Sequence, residues 1–407
     1  MNLSILNKDV QHFINSHLKT ALHKLVLKGS PFEQVSIQEI ATQISAKNKC
    51  EKKLPTWFQT EKIYYPPKTN LEQASSEITA QYKAGLISGK TLIDLTGGFG
   101  VDCVAFCRKI AHVTHCETNK ELSSIVAHNA NLLNCHNLET FVGDSITRLQ
   151  THKKQYDWLY ADPSRRNPLD KKVFLLEDCL PDIPQNLDLL FQYTKRILLK
   201  VSPLLDIKKG LSALRFVKEI HLLAIDNELK ELLFVLEKDY QGDITVNTIN
   251  FNKQLSESFN FRMNEPALAT FSKPQAFLYE PNAAILKSGG FNQVATSYKI
   301  QKLHRHTHLY TSDKLLDQFP GRRFKVLSVL PYDKKRLLAL LPDKKANISR
   351  RNFPDSVAQI RKRTGIKDGG IHYLFFTCLS DGSYRVLFCS KIITFLYKIS
   401  CVFQGLN

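Results

Sequence analysis

One segment constrains this chain more than any other. Thr91-Leu92-Ile93-Asp94-Leu95-Thr96-Gly97-Gly98-Phe99-Gly100 runs from a strand pattern through an acid into a glycine-rich turn, and a helical pattern follows at once. Glycines are needed where φ is positive or where a ligand must approach the main chain closely. Strand, glycine turn and helix in that order place a ligand in the crevice beyond the carboxyl end of the first strand. Two common ligands fit the segment poorly. A P-loop needs a Gly-Lys-Ser/Thr sequence, and there is no lysine here. A dinucleotide turn needs a third glycine at position 103, where Cys103 stands.

From residue 91 onward, apolar runs alternate with helical patterns: TLIDL, VDCVAFCRKI, HVTHCE, ELSSIVAHNANLL, LETFVGD, YDWLYADP, RILLKVSP, FVKEIHLLAI and ELLFVLEK. Such alternation predicts an α/β fold, with a parallel Rossmann-like sheet over 75–240 and helices on both faces. The runs ITVNTINF and FNFRM fit either an extension of that sheet or a connector. Before it lies a helical region. Phe13, Ile14, Leu18, Ala21, Leu22 and Leu25 recur at helical spacing and predict one helix ended by Gly29-Ser30-Pro31, with a second over 36–47. Thr69-Asn70-Leu71-Glu72 has the form of a capping box opening a helix to Gly85. Late in the chain, HYLFFTCL and YRVLFCSK flank Ser380-Asp381-Gly382-Ser383, a strong hairpin signal, and 325–329 is a further strand.

Two more acids sharpen the glycine turn. Glu117 ends the second strand pattern, where an acid can accept both ribose hydroxyls of a nucleoside. Asp144 ends the third and suits an adenine amino group. Singly, each reads equally well as a helix N-cap or a turn residue. Three acids closing three successive strands favour one shared ligand.

In this order, D-x-x-G-G-x-G, then E, then D, then Asp162-Pro163-Ser164-Arg165-Arg166 after strand four, the residues resemble the class I S-adenosylmethionine (SAM)-dependent methyltransferases. The resemblance implies that Asp94, Thr96, Gly97, Gly98 and Gly100 surround the methionine part and sugar of SAM, with Glu117 at the ribose and Asp144 at the adenine. The D-P-S-R-R loop resembles the D/N-P-P-aromatic motif of base and amine methyltransferases. It implies that Asp162, with Pro163, aligns a target nitrogen with the methyl group and takes up a proton. Ser164 replaces the second proline and Arg165 the aromatic residue; a guanidinium can stack on a base or clamp a phosphate. Lys200 closes the next strand beside the same crevice and reads as catalytic, phosphate-binding or solvent-facing. Glu72, Ser75 and Ser76 are candidates to close over SAM.

The segments LEQASSEITAQYKA, DLTGGFGVD, ADPSRR, EPNAAILKSG and KDGGIHYLFFTCLSDGSYRVLFCSKI resemble a bacterial family that joins such a methyltransferase to ferredoxin-like and THUMP-like domains. The expected layout is a helical region over 1–70, the methyltransferase domain over 71–265, a ferredoxin-like domain over 266–324 and a THUMP-like domain over 325–400. THUMP domains elsewhere deliver structured RNA. Charge agrees independently: 299–367 holds 18 Lys and Arg against 5 Asp, most of the chain's net +18, which suits a polyanionic partner. The expectation is therefore a SAM-dependent methyltransferase acting on a base nitrogen of tRNA or rRNA. The rivals are methylation of a protein or small molecule, and an inactive RNA-binding protein keeping the fold.

Composition excludes other classes. At 43% hydrophobic and 23% charged residues the chain is globular rather than disordered. The apolar stretch 387–403 is broken by Lys391 and Lys398, so no membrane span is expected. With no secretory signal, the nine scattered cysteines read as reduced thiols of a cytoplasmic protein. No metal is expected: His304, His306 and His308 would share one face of a strand, but no Cys or acid accompanies them. Cys103 and Cys107 read as small buried apolar residues.

Overall fold

In a computed structural model, the described residues are 1–165, 175–252 and 256–392. The chain forms two compact units: Met1–His221 with Glu231–Ile244, and Leu222–Lys230 with Thr245–Asn407.

The first unit begins with helices. Where one helix is expected over 13–25, two form, α1 (Lys8–Ser16) and α2 (Leu22–Lys28). Near the break the Phe13 carbonyl accepts from Ser16 Oγ at 3.0 Å and lies 2.8 Å from His17 Nδ1, while Ala21 is extended. Side chains that take a helix carbonyl compete with its own ladder. Ile14 and Leu25 remain buried, which is why the spacing looked continuous. Helix α3 (Ile37–Lys53) opens on a Ser36–Glu39 capping box, and α4 (Pro55–Gln59) follows.

The expected capping box at Thr69 is not made. Helix α5 (Lys68–Gln73) starts at Pro67 with no side-chain cap and ends at an extended Ala74. A new helix, α6 (Glu77–Leu86), starts at Ser76, whose side chain accepts from the Thr79 N–H. The break turns Ser75 into the interior, where it is 3% exposed.

The sheet then builds as the alternation predicts. Strands β1 (Thr91–Asp94), β2 (His112–Glu117), β3 (Leu138–Val142), β4 (Trp158–Ala161) and β5 (Arg196–Val201) are parallel, in the order β3-β2-β1-β4-β5. Helices α7 (Val101–Phe106), α8 (Lys120–Leu132) and α9 (Ser145–His152) connect the first four. Leu92, Ile93, Val113, Cys116 and 197–199 are buried: strands covered on both faces read as continuous apolar runs. Past β5 the chain crosses β6 (Val217–Ile225) and returns along β7 (Glu228–Glu237), whose residues 232–237 pair antiparallel with β5. Every parallel strand points its carboxyl end to one edge, and that edge carries the candidate site.

In the second unit, ITVNTINF and FNFRM form an antiparallel pair, β8 (Thr245–Phe251) and β9 (Glu257–Arg262). A seven-stranded sheet follows from β10 (Phe277–Pro281), β11 (Gln301–Lys302), β12 (Tyr310–Ser312), β13 (Gly321–Leu330), β14 (Asn347–Arg351), β15 (His372–Cys378) and β16 (Tyr384–Lys391). Its order is β11-β12-β10-β13-β16-β15-β14. The expected hairpin joins β15 to β16, with Gly382 at φ 79° and Ser383 bonded to the Asp381 carboxylate. Leu374, Phe376, Val386 and Phe388 pack into one core, while Phe375, Leu387 and Cys389 pack into another. Alternation with both faces covered makes the centre of β15, Leu374-Phe375-Phe376, a continuous apolar run.

Candidate active site

The turn after β1 ties together the carboxyl ends of three strands. Asp94 Oδ1 accepts from the Thr96 N–H at 2.8 Å and from the Thr96 hydroxyl at 3.2 Å, and Oδ2 accepts from Cys103 Sγ at 3.1 Å. Glu117, at the end of β2, accepts the Gly98 N–H on Oε2 at 3.0 Å and the Asn119 N–H on Oε1 at 2.8 Å. Beyond β4, the Asp162 N–H donates to Thr96 Oγ1 at 2.6 Å. The glycines are there for space. A Cβ on Gly97 would lie 2.3 Å from Nε2 of buried His115, and one on Gly100, at φ 77°, would lie 2.7 Å from Val126 Cγ1. Gly98 differs: its φ is 55°, and only the Thr96 carbonyl lies within 4 Å of a Cβ there. Its outer side is open.

Asp94 is 2% exposed, and burial pushes its pKa up to about 7 against the Thr96 and Cys103 hydrogen bonds. Cys103 thus does more than the expected filling of space, because it donates to this carboxylate. Asp144 caps α9 by accepting the Thr147 N–H and hydroxyl, both at 2.7 Å, and is exposed.

Behind the turn lies a network of charges. The Lys83 ammonium reaches Asp102 Oδ1 at 3.0 Å, Glu231 Oε2 at 2.7 Å and Ser75 Oγ at 2.7 Å. Asp102 Oδ2 accepts from Tyr160 OH at 2.6 Å and from Ser75 Oγ at 2.9 Å. Lys200 is ion-paired with Asp162 Oδ2. Burial opposes ionisation of Asp102, yet Lys83 and Lys200 hold its pKa below the usual value. Burial likewise pulls Lys200 down, but the carboxylates of Asp162, Glu231 and Asp102 outweigh it and raise its pKa. The Asp162 side chain keeps 34% exposure, whereas Lys83 has none and Glu231 5%. Asp162 is therefore the member of the network able to meet a substrate. Burial raises its pKa, with Lys200 opposing.

Of the residues singled out in the sequence, Asp94, Thr96, Gly97, Gly98, Gly100, Glu117 and Asp162 come together on this edge, and Lys200 joins them. Pro163 is buried beside Asp162. Ser164–Arg165 pairs antiparallel with Cys179–Leu180, while the Arg165 side chain and Arg166 lie outside the described residues. Glu72 is not a closing residue in this structure, being exposed and ion-paired with Lys49 and Lys68. Sequence reasoning missed Lys83, Asp102, Tyr160 and Glu231. Lys83 lies on α6 two residues from the exposed Gln81, and nothing in the local pattern marks it as buried.

The three histidines are not on a strand: β11 ends at Lys302, and they occupy the turn after it. His304 Nδ1 lies 3.1 Å from Asn352 Nδ2, while His308 stacks on Phe291. Among the described residues no group of three or more His, Cys, Asp or Glu is placed to hold a metal ion, and no helix is long and apolar enough to cross a membrane.

Comparison with known proteins follows this division. Residues 52–186 match the family described as conserved hypothetical protein 95, residues 277–320 a ferredoxin-like domain, and residues 321–391 a THUMP domain-like family. No curated protein matches the chain. Among solved structures, a putative methyltransferase from Porphyromonas gingivalis W83 is 30% identical and has a TM-score of 0.84, with 96% of this chain and 98% of that one covered. An rRNA methylase from Streptococcus thermophilus is 13% identical with a TM-score of 0.30, covering 40% of this chain and 95% of its own.

Proposed function

Because this chain belongs to the bacterial family of class I methyltransferases with C-terminal ferredoxin-like and THUMP-like domains, we propose that it methylates a base nitrogen of structured RNA, tRNA or rRNA, using SAM. The observation that carries the reading is the single turn, residues 95–100, to which Asp94, Glu117 and Asp162 from three strands are all bonded. These residues fit the cofactor. Gly98 leaves open space above its backbone. Glu117 Oε2 accepts the Gly98 N–H alone and keeps a lone pair for a ribose hydroxyl, while Oε1 accepts the Asn119 N–H and, at 3.3 Å, the Thr118 hydroxyl. Asp94, Thr96, Gly97, Gly98 and Gly100 would hold the methionine part and sugar, Glu117 the ribose, and Asp144 the adenine side. Bound SAM supplies a methyl group already activated on a sulfonium.

The chain's own contribution is alignment. Asp162 is fixed at both ends, its N–H on Thr96 and its carboxylate on Lys200. With Pro163 shaping the loop, it holds the acceptor N–H and takes the proton released on transfer, and the Arg165 guanidinium would stack on the base or clamp a phosphate. The basic segment 299–367 supports RNA as the substrate class.

Calorimetry and a transfer assay with methyl-labelled SAM test the reading. Asp94→Ala is expected to abolish SAM binding. Asp162→Ala is expected to keep the affinity within about threefold while turnover falls on the order of a hundredfold or more. Equal loss of binding in both variants refutes the division of roles, and a wild type that binds no SAM at millimolar concentration refutes the activity. Label entering protein but not total RNA refutes the substrate class.

A further inference from the structure

The second unit holds a cavity of about 890 Å³ between the connector 265–271, the helix Phe291–Tyr298 and the turn after β11. Its wall carries an unusual charge. Lys302 is 2% exposed, and among the described residues no carboxylate lies within ion-pair distance of it. Its ammonium donates to the Arg305 carbonyl at 3.0 Å and sits 5.8 Å from the centre of the Phe291 ring. Burial lowers its pKa, and the positive charge of Arg305 lowers it further. Lys47 of the first unit is also buried over a ring, Phe58, with no ion pair among the described residues. Burial lowers its pKa too, but there the Glu61 carboxylate opposes the shift, whereas at Lys302 the neighbouring charge adds to it. Among the described residues Arg305, exposed on the same wall, has no ion pair either, and the rim's acid, Glu265, is within ion-pair distance of neither cation. A lone buried ammonium is costly unless an anion meets it.

An aromatic plate stands beside these cations. His308 and Phe291 stack with centroids 3.4 Å apart and planes at 13°, and Phe271, 46% exposed, lies at the mouth. Burial, then Lys302 and His306, push the His308 pKa down to about 4, so the ring is neutral near pH 7. Its Nδ1 is buried with no hydrogen-bond partner among the described residues. Uncompensated cations next to a flat aromatic surface are the recipe for single-stranded nucleic acid: charge for the phosphate, rings for the base. The volume is that of a small-molecule site rather than of a groove for a folded partner.

We propose that this cavity receives one unpaired nucleotide of an RNA strand, with its base against the Phe291–His308 rings and its phosphate on Lys302 and Arg305. The proposal deepens the RNA reading above and rests on it for the strand that carries the nucleotide.

The test uses the full chain, with unfractionated tRNA and adenosine monophosphate as probes. Saturating S-adenosylhomocysteine is present so that the methyltransferase site does not capture the mononucleotide. The variants are Phe291→Leu, Lys302→Met and Arg305→Gln, each checked for unchanged circular dichroism and SAM affinity. Each is expected to weaken tRNA binding about tenfold. Arg305→Gln should also reduce the salt dependence of log affinity by about one counterion. Wild-type tRNA affinity in all three folded variants overturns the site while leaving the RNA reading intact. A wild type that binds no tRNA removes the RNA reading, and the cavity is then judged on the mononucleotide alone. Binding that is lost in Phe291→Leu and Arg305→Gln sustains a nucleotide site, and no binding overturns it.

Discussion

Lys83 in the first unit and Lys302 in the second are both buried, and they live under opposite rules. In the first unit, Lys83 is fully enclosed, but Asp102, Glu231 and Ser75 surround it, and Lys200 closes on Asp162. In the second, Lys302 is equally enclosed with a carbonyl and a ring for company. The second unit can compensate buried charge when it needs to: Glu280, at 3% exposure, holds both Arg322 and Arg351. The contrast therefore separates charges that maintain a site's geometry from a charge that a ligand completes. A network closed upon itself orients side chains. An open one attracts a partner.

Unfolding experiments break or sharpen this contrast. The largest effect is expected from Lys83→Met, which strands the carboxylates of Asp102 and Glu231 in the interior; urea unfolding should lose about 3–5 kcal/mol. A loss below about 1 kcal/mol would mean that the network does not depend on its central cation. The Asp94 carboxyl comes next, through pH. Its pKa is raised in the folded chain to about 7 from an ordinary 3.8. Between those values the folded state holds a proton that the unfolded state has released, so this residue's contribution to stability is complete below pH 4, falls as pH rises to about 7 and is level above. Measured against Asp94→Asn, the difference should reach up to about 4 kcal/mol. A wild type whose stability tracks the variant across that window would contradict a buried, protonated Asp94. The smallest effect belongs to Lys302→Met, expected to leave stability unchanged or raise it by up to about 1 kcal/mol, because it removes an unpaired buried charge. A loss as large as that of Lys83→Met would show that Lys302 is paired within the protein, and the contrast would collapse.

Much of the site was legible because its signals are local. The Asp94–Gly100 turn, Glu117 and Asp162 each close a short apolar strand, and a parallel sheet with right-handed connections brings successive strand ends to one edge. Two helices were misread for a local reason as well: Ser16, His17 and Ser76 offer the backbone other partners, and apolar spacing alone does not register that competition. The network beneath the turn was not legible. Lys83 and Glu231 are 148 residues apart, and Tyr160 and Asp102 are 58 apart. Nothing in either neighbourhood marks its partner.

The amino-acid sequence by itself determined the alternation of strands and helices, the glycine turn with its acids, the Asp381-Gly382 hairpin and the concentration of positive charge, since periodicity, backbone φ and composition act within a few residues. Tertiary structure alone decided which charges are compensated. It enclosed Lys83 among acids and Lys302 beside a cavity. The reason is physical: the cost of a buried charge depends on what the fold brings within a few ångströms of it, and residues distant along the chain supply that.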